Sequence, residues 1–395
     1  MGEFWPRVEP MRNTNLQIMI RSTSILLAFA LASQMLLGQA EVVATGLMAP
    51  HKLVLTPRGN FLVTETNRMP NLGRISFVSR SGTRRSLVEG LPSGTEVVGG
   101  GSGPSAMILK DRTLYVSIGA GDIERRNATG ASIHNPAGIS SPLYLSILEF
   151  RFSLDLDQMG GTFKMSPAQQ QTLADGDEVE MDDSSGAKAT VRVLVRFPHS
   201  TPEGSGYRFS NPWGLALSAD GLTLWVVDAS QNTLNRVDLA TGRWVRVMRF
   251  APIPNPTPVG PPVFDSVPTG IRIYGQQLLI SFLSGFPFPR GSARVLAVNP
   301  ESKTVEPFIF GLTSATDVLW RDRGPNLRPQ FWVLEFSLNQ SATTAPPGRL
   351  LRFDAPEPVV VLSDLRAPVS LAFDSASEEL FILELSGRIL KVSAR

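Results

Sequence analysis

One phrase, returning six times, constrains this chain more than any other feature. Its clearest copy is Asn211-Pro-Trp-Gly-Leu-Ala-Leu-Ser-Ala-Asp-Gly-Leu-Thr-Leu-Trp-Val-Val-Asp228. Two apolar, β-branched or aromatic runs flank an Asp220-Gly221 turn, which is a hairpin signal, and a carboxylate closes the second run. The other copies run from Ala49 to Glu65, Gly103 to Ile118, Val267 to Phe282, Ser314 to Glu335 and Ala367 to Glu384. A single hairpin would say little. A register kept six times predicts one architecture repeated six times.

After each hairpin there is room for a third strand and then an outer strand. Three outer strands end alike, in Leu87-Val-Glu-Gly-Leu91, Phe308-Ile-Phe-Gly-Leu312 and Val361-Leu-Ser-Asp-Leu365. A four-stranded unit repeating about every fifty residues is the signature of propeller blades. The last unit, from Ala367 to Arg395, has room for only three strands. The missing outer strand stands at the front, as Val42-Val-Ala-Thr-Gly46. The expected fold is all-β: a six-bladed β-propeller over residues 41–395, closed by pairing that N-terminal strand onto the last blade. Closure removes the open edges that would otherwise pair with other chains.

The interval from Pro104 to Pro212 is twice the usual spacing. Residues 156–188 are polar and turn-rich, and they read as an insertion in the second blade, a protruding hairpin or loop. A degenerate seventh blade is the alternative. Within the insertion, Ser166 to Ala174 suits one short helix.

The front of the chain bears on compartment. Arg12 and Arg21 precede the apolar run Ser24 to Leu37, and Gly38-Gln-Ala40 follows with small residues. That order predicts a secretory signal peptide over 1–40, cleaved after Ala40, and so an exported protein, periplasmic or extracellular. The run is short for a span of ~30 Å of hydrocarbon; an uncleaved anchor is the alternative. Met11 is the expected true start, with 1–10 as an upstream extension. No integral span is expected after cleavage.

Composition excludes more than it assigns. With 37 Lys plus Arg against 35 Asp plus Glu, the net charge of +2 gives no basic stripe for nucleic acid. The 395 residues contain no cysteine, so thiol nucleophiles, disulfides and thiolate metal sites are absent. The three histidines, His51, His134 and His199, lie in separate segments and do not suggest a zinc site. No Gly-x-Ser-x-Gly elbow precedes a helix, and Gly99-Gly-Gly-Ser-Gly103 precedes a strand, the wrong context for a phosphate loop.

Alternating strand direction puts the start of every first strand and the end of every second strand on one face of the ring. That mouth gathers His51, Ser105, Trp213, Thr269, Thr316 and Val369, then Lys52, Ala106, Gly214, Gly270, Asp317 and Ser370. Glu65, Asp228, Glu335 and Glu384 end second strands there, and their recurrence suits backbone hydrogen bonding within each blade. The candidate ligand-binding set is His51, Trp213, Asp228, Thr269, Phe286, Phe288, Thr316 and Asp317. The two phenylalanines belong to the loop Gly285-Phe-Pro-Phe-Pro-Arg-Gly291. No catalytic residue, metal site or cofactor is predicted.

The stretches Val42 to Leu47, Asn211 to Leu215, Val267 to Ile271, Ser284 to Arg294 and Leu312 to Val318 resemble the ScyD/ScyE family of bacterial propeller proteins. The resemblance covers nearly all of 41–395 and is most specific in Gly285-Phe-Pro-Phe-Pro289. It implies an exported six-bladed propeller of the NHL or TolB-like superfamily, with no established activity. Two departures bear on the mouth: Gly103-Pro-Ser-Ala106 and Ala49-Pro-His-Lys52 replace the family's usual Gly-Pro-His-Asp and Asn-Pro-Arg-Gly. Gluconolactonase-like propellers hold a divalent metal with carboxylate and amide groups at first-strand starts, and this chain has no carboxylate there. Quinone-dependent sugar dehydrogenases look similar around Leu114 to Asp122 but carry a base histidine just before that strand, where this chain has Gly101-Ser-Gly-Pro-Ser105. The expected function is therefore a monomeric, non-catalytic binding or scaffold propeller for a small molecule, carbohydrate, peptide or protein partner. A metal-dependent lactone hydrolase or quinone-linked sugar dehydrogenase is the alternative.

Overall fold

A computed structural model describes residues 40–135, 138–198, 200–203, 206–354 and 357–394. The expected leader, 1–40, lies outside them except for Ala40, and so does His199. The second strand of each repeat is apolar at successive positions because both of its faces are covered. Phe61–Glu65, for example, is buried at all five residues. Such strands sit inside sheets, and six sheets of four or five strands are present among the described residues.

In chain order the six first strands are Pro50–Leu55, Pro104–Lys110, Pro212–Leu217, Pro268–Tyr274, Ala315–Arg321 and Pro368–Asp374. Each is followed outward by antiparallel neighbours, and successive blades bury separate apolar clusters between them. The expected ring closure is present. Glu41–Ala44 pairs antiparallel with Arg388–Ser393, placing Val42 opposite Leu390. Lys391 Nζ meets the Glu41 carboxylate at 2.7 Å across that seam.

The first strand of every blade slips register near its start, for example between Pro50 and Lys52 and between Ala315 and Asp317. Such bulges re-aim side chains. Just ahead of them, Ala49, Val267, Ser314 and Ala367 adopt positive φ of 40°, 52°, 57° and 53°. For β-branched Val267 that is a costly conformation, held by the surrounding ring.

The doubled interval in blade two forms no seventh four-stranded blade among the described residues. It also has a wider cause than the 156–188 segment. The segment from 119 to 145 carries a small hairpin, Glu124–Arg126 with Ser132–His134, and a second pair, Ser200–Glu203 with Gly206–Phe209, follows the outer strand. Residues 156–188 do not simply protrude. They first lie along blade one, where Phe163–Lys164 pairs parallel with Val88 and Glu89, and then add Val179–Asp182 to the edge of blade two. Arg85 donates to the carbonyls of Gly161 and Met159 at 3.1 and 2.6 Å. The Asp157 carboxylate accepts from Thr56 Oγ1 and Asn60 Nδ2 at 2.7 and 2.8 Å. The short helix forms as expected, as Pro167–Asp175. Ser166 and Gln169 make a reciprocal capping box, and Gly176 ends it at φ 104°.

Candidate ligand site

The first-strand bulges bring His51, Trp213, Thr269, Thr316 and Asp317 together, as expected, around the central axis. What they enclose there is a space of about 20 Å³, enough for roughly one water. Their polar groups are already engaged. Asp317, 1% exposed, accepts from Lys52 Nζ at 3.1 Å and Arg272 Nη2 at 2.8 Å. The Leu371 and Val318 N–H groups, each at 3.0 Å, and the Ser370 hydroxyl at 3.4 Å also donate to it. The residues come from blades one, four, five and six, so this carboxylate ties the ring across its centre.

Burial alone would raise the Asp317 carboxyl, but Arg272, Lys52 and the Leu371 N–H outweigh it and hold it below the usual carboxylate range. Lys52 is pushed down to about 8 by burial, with the Arg272 cation adding to the effect and Asp317 opposing it. A ring of hydroxyls stitches neighbouring blades. Ser105 Oγ donates to the Pro212 carbonyl at 2.9 Å, Thr269 Oγ1 to Ala315 at 3.1 Å and Thr316 Oγ1 to Pro368 at 3.0 Å.

His51 stands apart from this network. Its ring lies 5.0 Å from that of Trp213, and its buried Nδ1 has no hydrogen-bond partner. Burial pushes its pKa down to about 4, so it is neutral at pH 7. Because the unfolded chain takes up this proton near 6.5 and the folded one only near 4, stability falls as pH drops through that window. We expect the wild type to lose more stability than His51→Gln between about pH 7 and about pH 4.5, by urea unfolding. Equal losses would show that His51 is not buried neutral.

Three other candidates lie away from this space. Asp228, 2% exposed, ends the second strand of blade three and accepts from the N–H groups of Asn211, Gln231 and Ser230 at 3.0, 2.8 and 3.1 Å. Burial nonetheless raises it to about 6. Its equivalents behave alike. Glu65 holds Arg74, Glu335 holds Arg349 and Glu384 holds Arg388, and each also accepts the N–H near the start of its own first strand. The backbone-bonding reading of these carboxylates is what the geometry shows. Phe286 and Phe288 pack edge to face, centroids 6.2 Å apart, in the blade-four loop. Phe286 is 57% exposed.

The larger space is elsewhere. A recess of about 480 Å³ opens beside blade one, within the size range of small-molecule sites. Blade one contributes Met48, Glu65–Asn67, Asn71–Arg74, Glu89 and Gly90; the inserted segment contributes Lys164 and Met165. Local bonds hold this wall in place. Gln170 Nε2 donates to Gly90 O and Asn71 Oδ1 at 2.8 and 3.2 Å, and Asn71 Nδ2 donates to Ser140 O at 3.1 Å. Gly90, at φ 76°, admits the segment because a Cβ there would lie 2.1 Å from the Met165 carbonyl oxygen. Arg74 and Glu65 neutralise each other, with guanidinium contacts of 3.0 and 2.7 Å. The side chains of Glu89 and Lys164 make no hydrogen bond or ion pair among the described residues, although the Glu89 carbonyl accepts from the Met165 N–H at 2.9 Å and its carboxylate acts on Arg74 through space.

Sequence reasoning missed this recess. Its far wall is the inserted segment, whose return to blade one is a long-range pairing of two residues. The only available signal was Lys164 beside apolar Phe163 and Met165 in an otherwise polar stretch. Among the described residues no group of three or more His, Asp or Glu side chains is arranged to hold a metal ion. No helix there is long and apolar enough to cross a membrane.

No family model matches the chain, and no curated protein is significantly similar to it in sequence. Solved structures do match its shape. A glucose dehydrogenase is 16% identical over 90% of this chain and 100% of its own, with a TM-score of 0.51. The soluble aldose sugar dehydrogenase of Escherichia coli, in its apo form, is 15% identical over 90% of this chain and 99% of its own, with a TM-score of 0.50. At such identities the shared property is the fold: this chain is a six-bladed β-propeller.

Proposed function

We propose that this propeller binds a small polar molecule, of sugar or amino-acid size and without net charge, in the recess beside blade one. The observation that carries the proposal is the contrast in room, about 480 Å³ there against about 20 Å³ at the centre. The recess is lined by two acids, Glu65 and Glu89, and two bases, Arg74 and Lys164, so it selects for neither sign overall. Glu65 and Arg74 already satisfy each other. Glu89 and Lys164, in register across the parallel pair, remain for the ligand's hydroxyl, ammonium or carboxylate groups, over the apolar Met48, Leu72 and Met165. The fuller form of the proposal is an exported, non-catalytic protein of the ScyD/ScyE kind. The basic, apolar and small segments of 12–40 support export, and the motifs quoted above support the kinship.

The fold favours a second reading, a sugar-oxidising or lactone-hydrolysing enzyme, because both neighbours are named for sugar oxidation. A quinone cofactor of the pyrroloquinoline type is a flat polyacid. The centre has room for one water and has both its cations engaged by Asp317, while the recess presents Glu65 and Glu89. Neither place fits that group as built.

A thermal-shift panel of neutral sugars, sugar lactones, amino acids and pyrroloquinoline quinone with calcium separates the two readings. We expect a neutral sugar or zwitterion to stabilise the wild type, binding at least about tenfold weaker to Lys164→Glu and unchanged to Trp213→Ala. Stabilisation by the quinone together with dye-linked oxidation of a sugar, or turnover of a lactone, would replace binding with catalysis.

A further inference from the structure

Blades one, five and six share a device at the mouth end of their second and third strands. A carboxylate ending the second strand is gripped by an arginine directly opposite on the third: Glu65 by Arg74, Glu335 by Arg349, Glu384 by Arg388. In blade six a hydroxyl two residues beyond the carboxylate joins in, with Ser386 Oγ donating to Glu384 Oε2 at 3.1 Å. Blade four keeps the receiving groups and lacks the carboxylate. Arg294 stands in the arginine register, Ser284 in the serine position, and Phe282 where the glutamate would be.

Two otherwise unrelated atoms register the loss. Arg294 Nε and Ser284 Oγ are both buried without a hydrogen-bond partner. Among the described residues no carboxylate pairs with this guanidinium, which rests over the Phe282 ring with its carbon 5.5 Å from the centroid. Buried polar groups are ordinarily satisfied, and an orphan asks for a ligand or water. Phe282, fully buried, fills the position that the carboxylate takes in blades one, five and six, so an anion meets Arg294 from its solvent side. The loop joining Phe282 to Arg294 there is the one bearing Phe286 and Phe288.

We propose that Arg294 is the anchor of a second ligand site on blade four, for a small carboxylate carried on an apolar or aromatic body. The guanidinium takes the carboxylate from its solvent side through two parallel N–H donors, the kind of paired contact that Arg74 and Arg388 make with their glutamates. The exposed ring of Phe286 covers the body. Ser284, buried at the start of that loop, strengthens the anion's hold when it turns its hydroxyl toward the arginine. This site is separate from the blade-one recess and does not depend on what binds there.

Benzoate, with benzyl alcohol as the uncharged control, is the probe. Calorimetric titration of the full-length protein should give saturable one-to-one binding of benzoate and none of the alcohol. Arg294→Met, which keeps the stem over Phe282, should weaken benzoate at least about tenfold. Arg290→Ala, removing an exposed neighbouring cation, should leave it unchanged. Ser284→Ala should leave the unfolding temperature no lower, because its hydroxyl has no partner to lose, and should weaken benzoate by less than Arg294→Met does. Benzoate binding unaltered in Arg294→Met, equal binding of the alcohol, or no saturable binding to the wild type would overturn the proposal. If Arg294→Met does not fold, Arg294→Lys keeps the charge without the planar fork and should still weaken benzoate measurably.

Discussion

Replacing Asp317 by alanine should be the most damaging single substitution in the central channel, lowering stability by about 3–5 kcal/mol. The argument rests on what remains. Lys52 and Arg272, with side chains 15% and 20% exposed, would face each other with no counter-charge. The Leu371 N–H would lose its acceptor as well. An Asp317→Leu, Lys52→Met double variant should recover part of the loss, since it removes one of the two uncompensated cations and leaves only Arg272 without its partner. Urea unfolding of the three proteins checks this. A loss under about 1 kcal/mol for Asp317→Ala would mean that the centre is hydrated and that Asp317 is free to serve a ligand.

The second large effect concerns the seam. A chain shortened to begin at Met48 should fold less stably and self-associate. It loses Leu47, 5% exposed, whose burial contributes about 1.5–3 kcal/mol alone. It also loses the Glu41–Lys391 pair and the hydrogen bond from Leu47 N to Gly387 O at 3.2 Å. More consequentially, Arg388–Ser393 becomes an open edge, a template for another chain. Size-exclusion chromatography should show dimers or larger species where the longer chain runs as one species. A shortened chain that stays monodisperse with an unchanged unfolding midpoint would show that the ring does not need this strand.

How far the molecule could be read in advance follows from the range of each interaction. The blades were legible because a hairpin is local, and its turn and apolar runs, as in 211–228, sit side by side in the chain. Closure was legible because a three-strand remainder at one end matched a one-strand surplus at the other. The gathering of His51, Trp213, Thr269, Thr316 and Asp317 followed from strand direction alone. Their occupation with one another did not, because it depends on Arg272, three residues beyond Thr269 along its strand, reaching across to Asp317 at 2.8 Å. The path of the inserted segment was equally hidden. Asp157 reads as one more solvated acid until Thr56 and Asn60 are found beside it. The orphaned state of Arg294 was visible only by laying blade four over blade six with their ladders in register.

The central claim is that a ligand enters beside blade one and not at the axis. Methionine methyl groups report on it directly, since Met48 and Met165 line the recess and no methionine lines the axial space. With methyl-labelled methionine and the strongest stabiliser from the thermal-shift panel, the Met48 and Met165 signals should shift with saturation while the Trp213 indole N–H stays in place. Movement of the Trp213 signal with Met48 and Met165 unchanged would contradict the account.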